Sequence, residues 1–241
     1  LMVVITAISS GSHGNCYHID DGSSSLLLEC GVTYKQMQVG TGYRLSDVAG
    51  VLVTHEHRDH CKAINEVLHR GHDVYATAGT IRALDEDEFL KEPSHHRLNV
   101  VKPLKQVRIG TWTVLPFDVS HDALEPVGFL LVSDTGKRVL YATDTYYIRY
   151  KFKGITHLLV EVNYDKETIE QNRDEGRLHP VLYDRVIKSH FSLENYINFL
   201  KANDLSKLEE VHLIHLSRSN ANARKIKEEV QKATGKEVII H

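Results

Sequence analysis

The chain has 241 residues and 41% apolar content, enough for one sizeable core, and no linker-like tract divides it, so a single domain over residues 1–241 is expected. A formal net charge of −3 excludes a broadly basic surface; a polyanionic ligand would have to meet a local basic patch or bound metal. Three cysteines at irregular spacing exclude a disulfide framework, and the lack of a secretory leader pattern or a long apolar run points to the cytoplasm.

Short apolar runs bounded by Gly, Asp, Ser or Pro predict strands over residues 3–8, 26–28, 51–53, 112–117, 128–132, 139–142, 157–162 and 211–214. Helical periodicity predicts helices over 60–68, 78–84, 193–200 and 221–233, and the polar stretch 165–180 is expected to be an exposed helix or loop. The strand-rich first half is echoed more loosely in the second, so two packed sheets with helices outside are the simplest α/β arrangement.

The most informative segment follows the strand at 51–53. Thr54-His55-Glu56-His57-Arg58-Asp59-His60 packs three imidazoles and two carboxylates into six positions. Nitrogen and oxygen ligands of this kind suit zinc, manganese or iron, whereas a structural zinc site favours paired thiolates, and Cys16, Cys30 and Cys61 are not paired. The plain alternative is a polar helix start capped by Asp59. Three further runs each end in a candidate ligand: 114–117 runs on to His121, 139–142 to Asp144, and 211–214 to His215. Each taken singly reads as a loop or turn residue; together with the first motif they read as a metal site. Asp144, with two carboxylate oxygens, is the candidate bridge between two ions.

Most other histidines lack such a context. His69 and His72 flank Gly71 at a helix end, His95 and His96 follow Pro93 in a polar turn, and His18, His157, His179, His212 and His241 have no ligand-like neighbours. His190 stands apart, in Ser189-His190-Phe191-Ser192 ahead of the helix at 193–200, with Ser192 as its cap; the alternative is that His190 only orders this turn. The run from Tyr146 to Lys153 interleaves aromatic rings with cations, a composition that binds single-stranded nucleic acid but also fits an edge whose tyrosines pack inward.

With these residues in view, the chain resembles the metallo-β-lactamase fold superfamily over nearly its whole length, through His-x-His-x-Asp-His at His55 to His60 and then His121, Asp144 and His215. The opening Ser9-Ser10-Gly11-Ser12-His13-Gly14-Asn15, the segment from Glu161 to Asp165, the Ser-His-Phe-Ser turn and His215-Leu216-Ser217 are similar to the YycJ/WalJ-type exonuclease branch. The resemblance implies a four-layer αββα sandwich and a phosphodiesterase that shortens single-stranded DNA from 5′ to 3′, DNA being favoured over RNA, with a hydroxide bridging two divalent ions, Mn²⁺ or Zn²⁺. It places one ion on His55, His57, His121 and Asp144 and the other on Asp59, His60, Asp144 and His215. Asp59 would also orient the nucleophile and His190 would act beside the scissile phosphate. Ser12, His13 and Asn163 would line the substrate mouth, and Arg149 is the cation of the 146–153 run assigned to the strand. True metallo-β-lactamases place another residue where His60 stands and commonly use a later cysteine ligand; this chain has none beyond Cys61. Two rival readings are a small-molecule hydrolase of a cyclic phosphodiester, thioester or lactone, and a non-catalytic, metal-stabilised nucleic-acid-binding module.

Overall fold

The computed structural model describes residues 2–91 and 94–241. Pro93, after which a polar turn is expected, lies outside them. The chain divides into two compact units, one of Leu1–Asp118 with Ala123–Lys137 and one of Val119–Asp122 with Arg138–His241.

In the first unit, β1 (Val4–Ser9), β2 (Cys16–Asp20), β3 (Ser25–Leu28), β4 (Val48–Leu52), β5 (Val74–Thr77) and β6 (Leu98–Val101) form a sheet in that order. The first three are antiparallel, and β3 to β6 are parallel. Leu26, Leu27 and Leu28 are all fully buried, the continuous apolar run of a strand covered on both faces. Register pairs Leu28 with Leu52, so the chain leaves β3 and β4 at the same level, and the Glu29 amide donates to the Leu52 carbonyl at 2.8 Å. The helices are α1 (Tyr34–Gly40), closed by a Thr33/Gln36 capping box, α2 (Arg58–Cys61), α3 (Ile64–His69) and α4 (Ala78–Glu86).

One helix was expected over 60–68, and there are two. The Ala63 amide donates to the Cys30 carbonyl at 2.9 Å instead of to its own helix, so a long-range bond interrupts the ladder. Antiparallel β7 (Val107–Ile109), β8 (Trp112–Asp118) and β9 (Val127–Ser133) complete this unit. Their first turn is tied to the β2–β3 turn by Thr111 Oγ1 donating to Asp21 at 2.6 Å and Trp112 Nε1 to the Ser24 carbonyl at 3.2 Å.

The second unit is built on four parallel strands, β10 (Arg138–Ala142), β11 (His157–Glu161), β12 (Glu210–Ile214) and β13 (Val238–Ile240), adjacent in that order. Its helices are α5 (Lys166–Asp174), α6 (Pro180–Ser189), α7 (Leu193–Ala202) and α8 (Ala223–Thr234). Ser192 caps α7 as expected, accepting from the Asn195 amide. The 165–180 stretch is less exposed than its polarity suggests: Asp165 caps α5 from a fully buried position, and Ile169 and Asn172 are buried. Among the described residues no helix is long and apolar enough to cross a membrane.

Midway along β12, His212 lies 2.8 Å from His241 and 3.0 Å from Glu210, with the two imidazole rings stacked. Burial lowers the His212 pKa against the pull of Glu210; burial and then His212 lower that of His241 to about 4. Both rings are therefore neutral in the folded protein, while the unfolded chain takes up protons below about pH 6.5. Their contribution is full above that pH and is lost as pH falls toward about 4. The thermal midpoint is expected to fall by several degrees from pH 7.5 to pH 5, and less steeply in His241→Gln; equal slopes would remove the pair from the acid response.

Candidate metal centre

In the first unit the segment carrying the candidate ligands runs from the end of β4 into α2. Thr54 is anchored twice: its amide donates to Glu29 Oε2 at 3.2 Å, and its carbonyl accepts from the Val127 amide at 3.1 Å. Its hydroxyl lies 2.8 Å from His55 Nδ1, so that nitrogen is occupied and Nε2 faces His57 Nδ1 at 3.1 Å. His55 and His60 have ring centroids 4.1 Å apart. His60 presents Nε2 to Asp59 Oδ2 at 3.4 Å and to the Asn15 amide at 3.2 Å, while its Nδ1 lies 3.6 Å from Glu29 Oε1. His55, His57, Asp59 and His60 therefore share one small neighbourhood, with His55 and His60 buried.

Glu29, which the sequence reading passed over, is fully buried and sits at φ 65° directly after β3. It joins the Thr54 backbone to His60, the kind of outer contact that orients a ligating imidazole. A single acid ending the run Leu26-Leu27-Leu28 was the available signal.

Gly31 is packed against the same segment. A Cβ there would collide with the Asp59 carbonyl and lie 2.8 Å from the Asn15 nitrogen, which itself donates to that carbonyl at 2.7 Å. Both are backbone atoms and cannot swing aside. Gly31→Ala is expected to destabilise the fold by about 3 kcal/mol, read as a lower urea midpoint; a change under about 0.5 kcal/mol would show that the approach is relaxed.

In the second unit, β10 to β12 end level with one another, Ala142 opposite Val160 and Glu161 opposite Ile214. Side chains that follow these strands emerge at the carboxyl edge, where parallel sheets place their sites. Asp144 and His215 follow β10 and β12 with φ of 49° and 54°, a left-handed conformation uncommon for residues with a Cβ and enriched at functional positions. His215 Nδ1 lies 3.3 Å from Asp144 Oδ1 and 3.1 Å from Glu161 Oε2, and His121 Nε2 lies 3.6 Å from Asp144 Oδ2. His121 is placed by its flanks: the Ser120 amide donates to Thr145 Oγ1 at 3.0 Å, and the Tyr146 amide to the Ser120 carbonyl at 3.2 Å. Its Nδ1 faces the Ser189 carbonyl at 3.2 Å, which fixes the tautomer with Nε2 turned to Asp144. Burial holds its pKa below the ordinary value against the pull of Asp144, favouring the neutral form a metal requires.

Glu161 is the second residue that sequence reasoning missed as part of the site. It is fully buried at the end of β11; Oε1 accepts from the Thr145 amide at 2.6 Å and the Phe191 amide at 3.3 Å, and Oε2 faces Nδ1 of His190 at 3.0 Å. Burial opposes its charge, yet His190, by charge and hydrogen bond, and His215, by hydrogen bond, hold its carboxyl below the usual range. Burial likewise opposes charge on His190, and Glu161 and then Asp144 overcome it, raising the His190 pKa. Each group thus favours the charged form of the other, and with Nδ1 committed to Glu161, His190 has Nε2 left for a ligand. Asp144, Glu161, His190 and His215 each offer a donor atom within 4.8 Å of the others.

Asn163 packs against His215. It is buried, with its amide donating to the His215 carbonyl at 2.9 Å and lying 3.4 Å from Nδ1, so it positions that residue. Ser12 and His13 are exposed in the β1–β2 loop. Arg149 is exposed and lies over the Tyr150 ring, with a 2.9 Å bond to its hydroxyl.

Imidazole nitrogens and carboxylate oxygens, offered from strand ends and steadied by buried glutamates, fit a divalent cation such as zinc or manganese, so the protein is of the class of α/β proteins with a candidate metal site at the strand ends. The chain belongs to the beta-lactamase superfamily, whose domain model matches residues 25–215. It is 26% identical over 221 residues to exodeoxyribonuclease WalJ of Streptococcus pneumoniae, covering 88% of this chain and 81% of that one. It is 30% identical over 177 residues to exodeoxyribonuclease YycJ of Bacillus anthracis, covering 70% and 66%. The crystal structure of the metallo-β-lactamase fold protein YhfI from Bacillus subtilis matches with a TM-score of 0.75 at 17% identity, over 99% of this chain and 95% of that one. The fold is therefore the metallo-β-lactamase fold, as the resemblance implied.

Proposed function

We propose that the chain is a metal-dependent phosphodiesterase that shortens single-stranded DNA from its 5′ end, with both units serving one hydrolase domain. The observation that carries this is the cluster of Asp144, Glu161, His190 and His215, with His190 3.0 Å from the buried Glu161 carboxylate beside metal-type ligands, in a chain whose relatives are named exodeoxyribonucleases. One ion would be held by His55, His57, His121 and Asp144, the other by Asp59, His60, Asp144 and His215. Mn²⁺ and Zn²⁺ both suit this set. Such ions supply Lewis acidity at the phosphoryl oxygens and lower the pKa of water from 15.7 to about 7.

The protein's own groups do the rest. Asp59 accepts a hydrogen bond from the attacking water and sets its lone pair toward phosphorus. His190, kept protonated by Glu161, delivers a proton from Nε2 to the departing sugar oxygen. Ser12, His13 and Arg149 meet the strand outside the reacting bond. The three free cysteines are all buried, which accords with reduced thiols in a cytoplasmic protein.

His190→Ala is expected to lower the rate by about 10²- to 10⁴-fold with bound metal unchanged, measured by initial rates and elemental analysis of the same preparation. Loss of metal in parallel would make His190 a ligand instead.

The test of the function uses metal-stripped protein resupplied with Mn²⁺ or Zn²⁺ and 3′-labelled, 5′-phosphorylated single-stranded DNA and RNA. Stepwise shortening of the DNA from the 5′ end is expected. Intact strands with both metals, together with hydrolysis of a thioester, lactone or cyclic phosphodiester, would replace this reading with a small-molecule hydrolase. No turnover of any of them would leave a binding module.

A further inference from the structure

The 146–153 run was open to two readings, and its side chains divide between them. Ile148 and Phe152 are buried, whereas Tyr146, Tyr147 and Arg149 are exposed, Tyr147 at 56%. The segment lies along α7, stapled at two points: Asn195 donates to the Tyr146 carbonyl at 3.2 Å, and Asn203 accepts from the Phe152 amide at 2.6 Å. With a rise of 1.5 Å per residue these staples lie about 12 Å apart along α7. Between them is a cleft of about 300 Å³.

Tyr147 and Arg149 line one side of the cleft, and Phe191, Asn195, Asn198 and Phe199 the other. Aromatic faces, a cation and amides together are the parts from which single-stranded nucleic-acid sites are made, rings stacking on the base and amides reading its edge. Asn203 is spent on the backbone, donating to the Phe199 carbonyl as well as accepting from Phe152. Asn198 makes no side-chain hydrogen bond among the described residues, which leaves its donor and its acceptor for the paired donor and acceptor of a base edge. The volume is at the lower limit of the roughly 300–1,000 Å³ of small-molecule sites, room for one base and not for a stacked run.

The cleft grows from the chain segments that carry the site. Tyr147 is three residues beyond Asp144, and Phe191 directly follows His190. We propose that this cleft is a nucleobase pocket: one unstacked base of the strand, close to the scissile phosphate, stacks against Tyr147 and is read at its edge by Asn198, while Arg149 meets the adjoining backbone. This rests on the nuclease reading above. It turns a general affinity for strands into a subsite that holds one nucleotide in register with the chemistry.

The test compares the wild type, Tyr147→Ala and Asn198→Ala on 5′-phosphorylated oligodeoxynucleotides that are intact or abasic at one of the first four positions. Both side chains are exposed, so both variants are expected to fold. For the wild type, one abasic position should raise KM about tenfold with kcat little changed, the size expected for one lost stacking partner. Each variant should raise KM to a similar degree on intact DNA and add little on that abasic substrate, because the partner is already missing. Equal KM at all four abasic positions, or variant penalties as large on abasic as on intact DNA, would overturn the pocket. Wild-type hydrolysis of bis(p-nitrophenyl) phosphate, a diester without bases, separates the two failures. Cleavage of the diester with no abasic effect on DNA overturns the pocket alone; cleavage of neither overturns the nuclease reading with it.

Discussion

Asp59→Ala is expected to lower the rate of DNA shortening by about 10³-fold or more in a protein that remains folded. The structural part of Asp59 is played by its main chain, whose carbonyl accepts from the Asn15 amide at 2.7 Å beside Gly31. Its carboxylate is 26% exposed and lies 3.4 Å from the Asn15 side-chain amide and 3.4 Å from His60. The functional part is double, since the same carboxylate is proposed to hold an ion and to orient water. Saturating kcat, bound metal and thermal midpoint should be measured on one preparation. A kcat within tenfold of wild type would remove Asp59 from the reaction.

Glu161→Ala should be the most damaging single change to the second unit. It strips the acceptor from two backbone amides, Thr145 and Phe191, and the counter-charge from two imidazoles, His190 and His215. Breaking a buried ionic network from one side costs about 3–5 kcal/mol, and for a chain of this size that is a fall in thermal midpoint of about 10 °C. Glu161→Gln separates charge from shape. It keeps an acceptor for the two amides and should recover much of the stability, yet it leaves His190 without its counter-ion, so activity should remain about 10- to 100-fold low. A fully active glutamine variant would show that only the hydrogen-bonding shape of Glu161 matters.

Strands with long apolar runs were legible because burial on both faces writes itself into composition, as in Leu26 to Leu28 and in the fully buried β11. Those with a broken or marginal run were not. β2 carries His18 within Cys16–Asp20, and β13 is only three residues, so their identity comes from pairing with neighbours and not from their own pattern. α6 was missed although it carries a start signal, His179 as cap with Pro180 at the first helical position; inside a polar stretch the proline reads as a loop. The break between α2 and α3 has no local cause, because it comes from the Cys30 carbonyl, 33 positions from Ala63.

The sequence by itself determined the candidate ligand set and its grouping along the chain. His55, His57, Asp59 and His60 are neighbours within six positions, and His121, Asp144 and His215 each stand just past an apolar run, so a strand's direction is enough to bring each to a sheet edge. Tertiary structure alone decided which carboxylates support those ligands and which aromatic rings face outward. Glu29 and Glu161 stand at the ends of apolar runs, a signal too weak to assign them; they become buried anchors because the amides of Thr54, Thr145 and Phe191, 16 to 30 residues away, converge on them. A buried charge persists only where such donors gather. The outward turn of Tyr147 and Arg149 likewise depends on Asn195 of α7 and Asn203 just past its end, some fifty residues on, fixing the segment that carries them.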